Sequence, residues 1–254
     1  MFFYGSTDVG LMRDNNQDSF RICNMDNGAV LAVVCDGMGG AAGGSTASTL
    51  AVDTFCNVIL QNEKLLFTPE GELKENTVKN ALLTAVNKAN TAVFHKSISD
   101  SSLAGMGTTL VACFAYKNRV IAVNVGDSRL YGIYDDGARR ISKDHSFVQT
   151  LVDSGEITEE QAHLHPKKNI IMRAVGVDDS VNADVFALDA DMKYILLCSD
   201  GLTNYLMDEE IGKFFGGNIK ETVTKLISYA NECGGSDNIT AVVIDFNAQG
   251  GDSL

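Results

Sequence analysis

Aspartates recur in this sequence where apolar runs stop or start. The run 31–35 leads into Asp36-Gly37, the run 121–126 into Asp127-Ser128, and the run 195–199 into Asp200-Gly201. Gly235-Ser236-Asp237-Asn238 opens the run 239–246, and Arg13-Asp14-Asn15-Asn16-Gln17-Asp18 precedes Ser19-Phe20-Arg21. Any one of these is ordinary turn chemistry, because Asp-Gly, Ser-Asp and Asp-Asn suit tight bends. Their recurrence carries more. Strands packed side by side would bring several such ends to one rim, where carboxylates repel unless a cation neutralises them. A donor set made only of oxygen selects hard ions, Mg²⁺ or Mn²⁺, over Zn²⁺. Zinc would require cysteine or histidine at ligand spacing, which His95, His145, His163 and His165 do not provide.

A nucleotide site competes for the same residues. Gly37, Gly39 and Ala42 fit the loose dinucleotide pattern G-x-G-x-x-A between a strand and a helix. Asp36, immediately before it, would face a pyrophosphate with like charge. Asp53, the acid about twenty residues on, lies in a helical run and not at the end of a second strand. The sequence has no G-x-x-x-x-G-K-S/T phosphate loop.

Short runs rich in Val, Ile and Leu predict the strands that must carry the aspartates: 29–35, 109–116, 120–125, 129–134, 194–198 and 239–246. Lys117-Asn118-Arg119 between two of them reads as a hairpin, and so predicts an antiparallel sheet. Helical periodicity marks 44–61, 76–97 and a third helix from Ile219 to Ala230, ending near Cys233-Gly234-Gly235. Strands and helices fall in separate runs, which argues for an α+β fold with helices on antiparallel sheets. The segment 153–179 is polar and mixed, with helical hints at 146–154 and 158–164. It reads either as a surface connection or as a lid beside a site.

Bulk properties narrow the classes. A chain of 254 residues with 45% apolar and 21% charged residues can bury a core, and no Pro/Ser-rich linker divides it, so one domain over 1–254 is expected. The net charge of −13, with no Lys/Arg-rich run, argues against a nucleic-acid partner. Six cysteines without a C-x-x-C pair, mostly in apolar runs, read as small buried hydrophobes of a reducing compartment. Neither a leader nor a membrane-spanning run is evident, so a cytoplasmic protein with no membrane insertion is expected.

In their order and spacing, the segments 13–18, 34–40, 107–109, 125–129, 144–146, 199–202 and 235–240 resemble the metal-dependent serine/threonine protein phosphatase family (protein phosphatase type 2C), its bacterial branch in particular. Each motif is short; their joint order, from about residue 5 to 246, is specific. The resemblance implies a four-layer α/β/β/α sandwich, with two packed antiparallel sheets flanked by helices. It implies that Asp36 bridges two Mn²⁺ or Mg²⁺ ions, that the Gly37 carbonyl binds one of them, and that Asp200 and Asp237 complete the other. Asp18 matches an acid that holds a coordinated water. Asp127 matches a ligand of a third, weaker site shared with Asp200. Arg13 matches a phosphate-gripping arginine, a task suited to a guanidinium fork. The segment 153–179 matches the family's flap.

Two departures are visible. Gln17 stands where many eukaryotic members carry an acid, as in bacterial relatives. Met38 stands where eukaryotic members have a histidine proposed as general acid, and a thioether cannot donate a proton. His145 is a conceivable substitute, although a role in starting the helix after Asp144 suits it better. The implied reaction is hydrolysis of phosphoserine or phosphothreonine on proteins by a hydroxide bridging the two ions. Cysteine-based dephosphorylation would need a C-x5-R loop, and Cys35 and Cys198 lead into Asp36 and Ser199-Asp200 instead. Phosphorylated proteins and a cognate serine/threonine kinase are the implied partners. The alternatives are a non-catalytic relative that binds phosphoproteins, which should have lost metal aspartates, and a phosphatase of small phosphoesters.

Overall fold

Unbroken runs of Val, Ile, Leu, Ala and Cys suit strands covered on both faces, and this chain places its longest such runs in the middle of two sheets. A computed structural model describes residues 1–189 and 191–247. In chain order the strands are β1 (Phe2–Asp8), β2 (Asp18–Asn24), β3 (Val30–Met38), β4 (Gly107–Thr108), β5 (Leu110–Tyr116), β6 (Arg119–Val125), β7 (Arg129–Tyr134), β8 (Gly137–Arg140), β9 (Asp184–Asp189), β10 (Tyr194–Cys198) and β11 (Ile239–Asp245). The helices are α1 (Gly40–Gln61), α2 (Glu75–Ser99), α3 (Phe147–Asp153), α4 (Glu159–His163), α5 (Asp200–Thr203), α6 (Asp208–Ile211) and α7 (Ile219–Glu232).

One sheet runs β1-β11-β10-β7-β8; the other runs β2-β3-β5-β6-β9, with β4 paired to β3. Every pairing is antiparallel. Alternation along the central strands sends side chains to opposite faces. Val30, Ala32, Val34, Val111, Cys113, Ile195, Leu197, Val242 and Ile244 therefore meet between the sheets. Leu31, Val33 and Phe114 turn outward onto Phe55, Ile59 and Leu82 of α1 and α2. Leu196, Ala241 and Val243 pack on Val223 and Leu226 of α7. The result is the expected α/β/β/α sandwich.

The structure differs from the reading of apolar runs in two instructive ways. β1, β2, β8 and β9 were not among the predicted strands, and all four are sheet edges. An edge strand is half solvated and interrupts its apolar run with polar residues. The second difference is β3, which continues through Asp36, Gly37 and Met38. Asp36-Gly37 is therefore not a turn. The strand carries the aspartate directly, in register opposite Asp18 of β2. The hairpin between β5 and β6 is present, with Lys117 in the left-handed region at φ 51°.

Cys35, Cys56, Cys113 and Cys198 are buried as expected, whereas Cys233 is exposed and Cys23 half-buried; all six thiols are free. Among the described residues, no helix is long and apolar enough to cross a membrane.

Candidate metal centre

The ends of β2, β3 and β6, the start of α5 and the bend before β11 meet at one rim of the sandwich. A cavity of about 530 Å³ opens there, lined by Arg13, Gln17, Asp36, Gly37, Asp127, Asn169, Asp200 and Asp237. Asp18 sits beside this group, 9% exposed. All six expected metal-binding residues and Arg13 thus come to one end of the molecule.

Each aspartate has its own support. Asp18 Oδ2 accepts hydrogen bonds from Ser199 Oγ and Thr240 Oγ1, each at 2.6 Å. The Asp36 backbone is fixed on both sides. Its N–H donates to Thr109 Oγ1 at 2.9 Å, and its carbonyl accepts from Thr108 Oγ1 at 2.8 Å. Thr109 in turn hydrogen-bonds Ser128, next to Asp127, at 2.7 Å. Asp200 opens α5 after Ser199. Asn238 fastens Asp237 to the Arg13–Asp18 loop: its Nδ2 donates to the Val9 and Asn15 carbonyls, and its Oδ1 accepts from Gln17 N–H at 2.8 Å.

Two glycines make the convergence possible. A Cβ on Gly37 would collide with the Gly44 and Gln17 carbonyl oxygens, and one on Gly201 with the Asn238 carbonyl oxygen. Their role is close backbone approach, since neither lies in the left-handed region.

The electrostatics are those of crowded carboxylates. Burial pushes Asp18 up to about 7, with Asp200 and Asp237 adding repulsion against the pull of Ser199 and Thr240. Asp36 is raised well above the usual carboxylate range by loss of hydration, then by Asp18, Asp200, Asp127 and Asp237. It keeps an exposed edge toward the cavity, yet dense packing around the rest of the group makes desolvation the leading cause. Asp127 is raised by burial, then by Asp200 and Asp144. Asp200 is raised by burial and by Asp237, and Asp36 lies within hydrogen-bonding reach of it.

These residues fit a hard cation. Asp18 Oδ1, Asp127 Oδ1 and Asp200 Oδ1 are buried with no hydrogen-bond partner, as are only two other side-chain oxygens among the described residues. A buried carboxylate oxygen without a donor is costly unless a cation meets it. Among the described residues, no three acids, histidines or cysteines close into a ready coordination sphere. A bound ion's own charge would supply what draws several carboxylates onto one point.

Arg13 is half-exposed and pairs with Asp237 Oδ2 at 2.8 Å. Met38 lines the cavity, as its position implied. His145 does not start the following helix. Ser146 caps α3 by accepting from Gln149 N–H, and the His145 ring is turned inward. Its Nδ1 accepts from Gly126 N–H at 3.1 Å, and its Nε2 lies 3.2 Å from Asp184 Oδ2. The supports supplied by Thr109, Ser199, Asn238 and Thr240 were not foreseen from the sequence. The available signal was that each sits within three residues of a site aspartate or in the Gly107-Thr108-Thr109 motif.

A family model described as Protein phosphatase 2C matches residues 13–243. The chain is 35% identical over 244 residues to the serine/threonine phosphatase stp of Listeria innocua, covering 95% of this chain and 94% of that protein. It is 39% identical over 241 residues to the serine/threonine protein phosphatase PstP of Mycobacterium tuberculosis, covering 94% of this chain and 44% of PstP. Among solved structures, a serine/threonine phosphatase of Staphylococcus aureus superposes with a TM-score of 0.86 at 34% identity, covering 96% of this chain and 94% of that one. The PstP catalytic domain in complex with two manganese ions superposes with a TM-score of 0.81 at 35% identity, covering 96% and 97%.

Proposed function

The chain belongs to the protein phosphatase 2C family and is a metal-dependent serine/threonine protein phosphatase, and on that premise we propose how its residues carry out the hydrolysis. Asp36, the Gly37 carbonyl, Asp200 and Asp237 would hold two divalent ions, Mn²⁺ or Mg²⁺. Asp18 would orient water at the centre, and Asp127 with Asp200 would hold a third ion. When bound, such ions make water nucleophilic near neutral pH and neutralise charge on the phosphoryl group.

The remaining work falls to the protein's own groups. Arg13, whose side chain is 49% exposed, can leave Asp237 and fork onto two phosphoryl oxygens. Ser199 and Thr240 hold one Asp18 oxygen and leave the other free. Among the described residues lining the cavity, none is histidine, lysine, tyrosine or cysteine. Met38, which lines the cavity, has no proton to give, so the leaving alkoxide would take its proton from water or be stabilised otherwise. The domain acts as one unit over 1–254, the segment 153–179 serves as a flap, and the setting is the cytoplasm. The partners are phosphoserine and phosphothreonine proteins and the kinase that modifies them.

The observation that carries this reading is the set of unpartnered buried oxygens on Asp18, Asp127 and Asp200 beside one cavity. The test is hydrolysis of a phosphothreonine peptide in EDTA, then with Mn²⁺ or Mg²⁺ restored. Activity is expected to vanish in EDTA and return with metal. Metal-independent turnover would refute the reading; folded protein inert with every metal would favour a phosphoprotein-binding role.

A further inference from the structure

A second set of charges lies beside the metal centre, and the reaction does not use it. Arg129 stands at the start of β7, two residues past Asp127. Its Nε donates to Asp144 Oδ1 and Oδ2 at 3.0 and 3.1 Å, and its Nη2 donates to Asp144 Oδ2 at 2.8 Å. Its Nη1 reaches the Tyr131 hydroxyl at 3.2 Å and Asp208 Oδ1 at 3.4 Å. The Tyr131 hydroxyl donates to the same Asp208 oxygen at 2.8 Å. The Arg129 and Asp144 side chains are 20% and 8% exposed.

The two acidic partners belong to different segments around the centre. Arg129 continues the loop that carries Asp127. Asp208 starts α6, just after α5 and its Asp200. Asp144 leads into the stem of the 153–179 segment, where Phe147 N–H and Ile170 O, and Met172 N–H and His145 O, are hydrogen-bonded. One guanidinium therefore ties the strand that follows Asp127 to the helix that comes after the Asp200 helix, and to Asp144 as a third point.

Stability alone does not account for this arrangement. Replacing a buried ion network by apolar side chains of similar volume is often neutral or stabilising. A requirement for fixed geometry does account for it, because groups behind the ligands set how well those ligands converge on a metal.

We propose that Arg129 is a positioning residue for the metal centre, clamping the strand that follows Asp127 to the start of α6, the helix after the one that carries Asp200, in the relative placement that ion binding needs. The inference rests on the metal-centre reading above. It is tested by titrating Mn²⁺ into metal-stripped protein by calorimetry, with melting curves in EDTA to establish folding. Wild type should bind Mn²⁺, and Asp36→Asn should lose that binding. Arg129→Met should weaken Mn²⁺ binding by ~10–100-fold, and excess Mn²⁺ should restore most of kcat. Arg129→Lys should rescue only in part, since an ammonium cannot reproduce the fork. Tyr131→Phe, which keeps the Arg129–Asp144 pair, should weaken binding less than Arg129→Met does, and it decides the matter if Arg129→Met does not fold. An unchanged isotherm in folded Arg129→Met, or in Tyr131→Phe should Arg129→Met not fold, overturns the inference alone. Wild type that binds no Mn²⁺ overturns the metal reading together with it.

Discussion

Acidic side chains gather in two neighbouring regions of this protein, and the two are compensated differently. Around the large cavity, Asp18, Asp36, Asp127, Asp200 and Asp237 face one another with Arg13 as the only cationic side chain among the described residues lining it. Beside it, Asp144, Glu159 and Asp208 each meet an arginine. Arg129 holds Asp144 and Asp208, while Arg140 Nη2 donates to Glu159 at 2.8 Å and Arg140 Nε lies 3.4 Å from Asp208. In the first group Asp18, Asp127 and Asp200 each keep a buried oxygen without a donor, and Asp18, Asp36, Asp127 and Asp200 have raised pKa values; the second group has cationic partners from its own chain. Internal compensation fits a fixed scaffold, and its absence calls for a charge from outside the chain.

The contrast is broken most decisively at Asp36. Asp36→Asn keeps the shape of the side chain and removes one negative charge. Turnover of a phosphothreonine peptide in saturating Mn²⁺ should fall by at least ~1,000-fold, about 4 kcal/mol of barrier. Near-normal turnover would sink the two-ion model.

Stability should respond with opposite signs in the two regions. In EDTA, Asp36→Asn should raise the unfolding midpoint, because it relieves a buried charge among like charges. Asp144→Ala should lower stability by about 3 kcal/mol, because it removes the main acidic partner of the Arg129 guanidinium in a largely enclosed site. Urea unfolding of both variants reads the two signs in one experiment. If both changes destabilise, the cavity carboxylates are not electrostatically strained.

A smaller effect is expected at Arg13. Its ion pair with Asp237 is half-exposed, and such pairs contribute little to stability. Arg13→Ala should leave the urea midpoint nearly unchanged while raising KM for the peptide by ~10-fold, about 1.4 kcal/mol. A large loss of stability with unchanged KM would make Arg13 a scaffold residue, like Arg129.

How much of this was legible in the sequence follows from the same physics. The site aspartates were legible because each sits at the end of an apolar run or in a short polar segment whose order matched a family. The central strands were legible because they are covered on both faces. The edge strands were not, since solvent on one side interrupts their apolar pattern: β8 reads Gly-Ala-Arg-Arg. The positions of Gly37 and Gly201 were legible, but not their reason. Collision with the Gly44 and Asn238 carbonyls is a contact across the fold that no local pattern encodes. The Arg129 clamp was hidden for the same cause, since Asp144 and Asp208 lie 15 and 79 positions away from it.

His145 marks the seam between the two regions, and it gives the smallest test. Its ring accepts from Gly126 N–H, beside Asp127, and faces Asp184, Arg173 and its neighbour Asp144. Burial lowers its pKa below the ordinary 6.5, against the opposing pull of Asp184 and with Arg173 reinforcing the shift. The unfolded chain thus binds the proton more readily than the folded one, so stability should be complete above pH 6.5 and decline as the pH falls from there toward the lowered folded value. Protonation at Nδ1 would also set a second donor against the Gly126 N–H. His145→Asn removes the titrating group, and comparing its urea midpoints with wild type at several pH values across this window isolates the contribution. The wild-type curve should slope more steeply than the variant's. Parallel curves would mean that the His145 contact with the Asp127 loop is held equally well in either protonation state, and that the seam between the two regions does not sense pH.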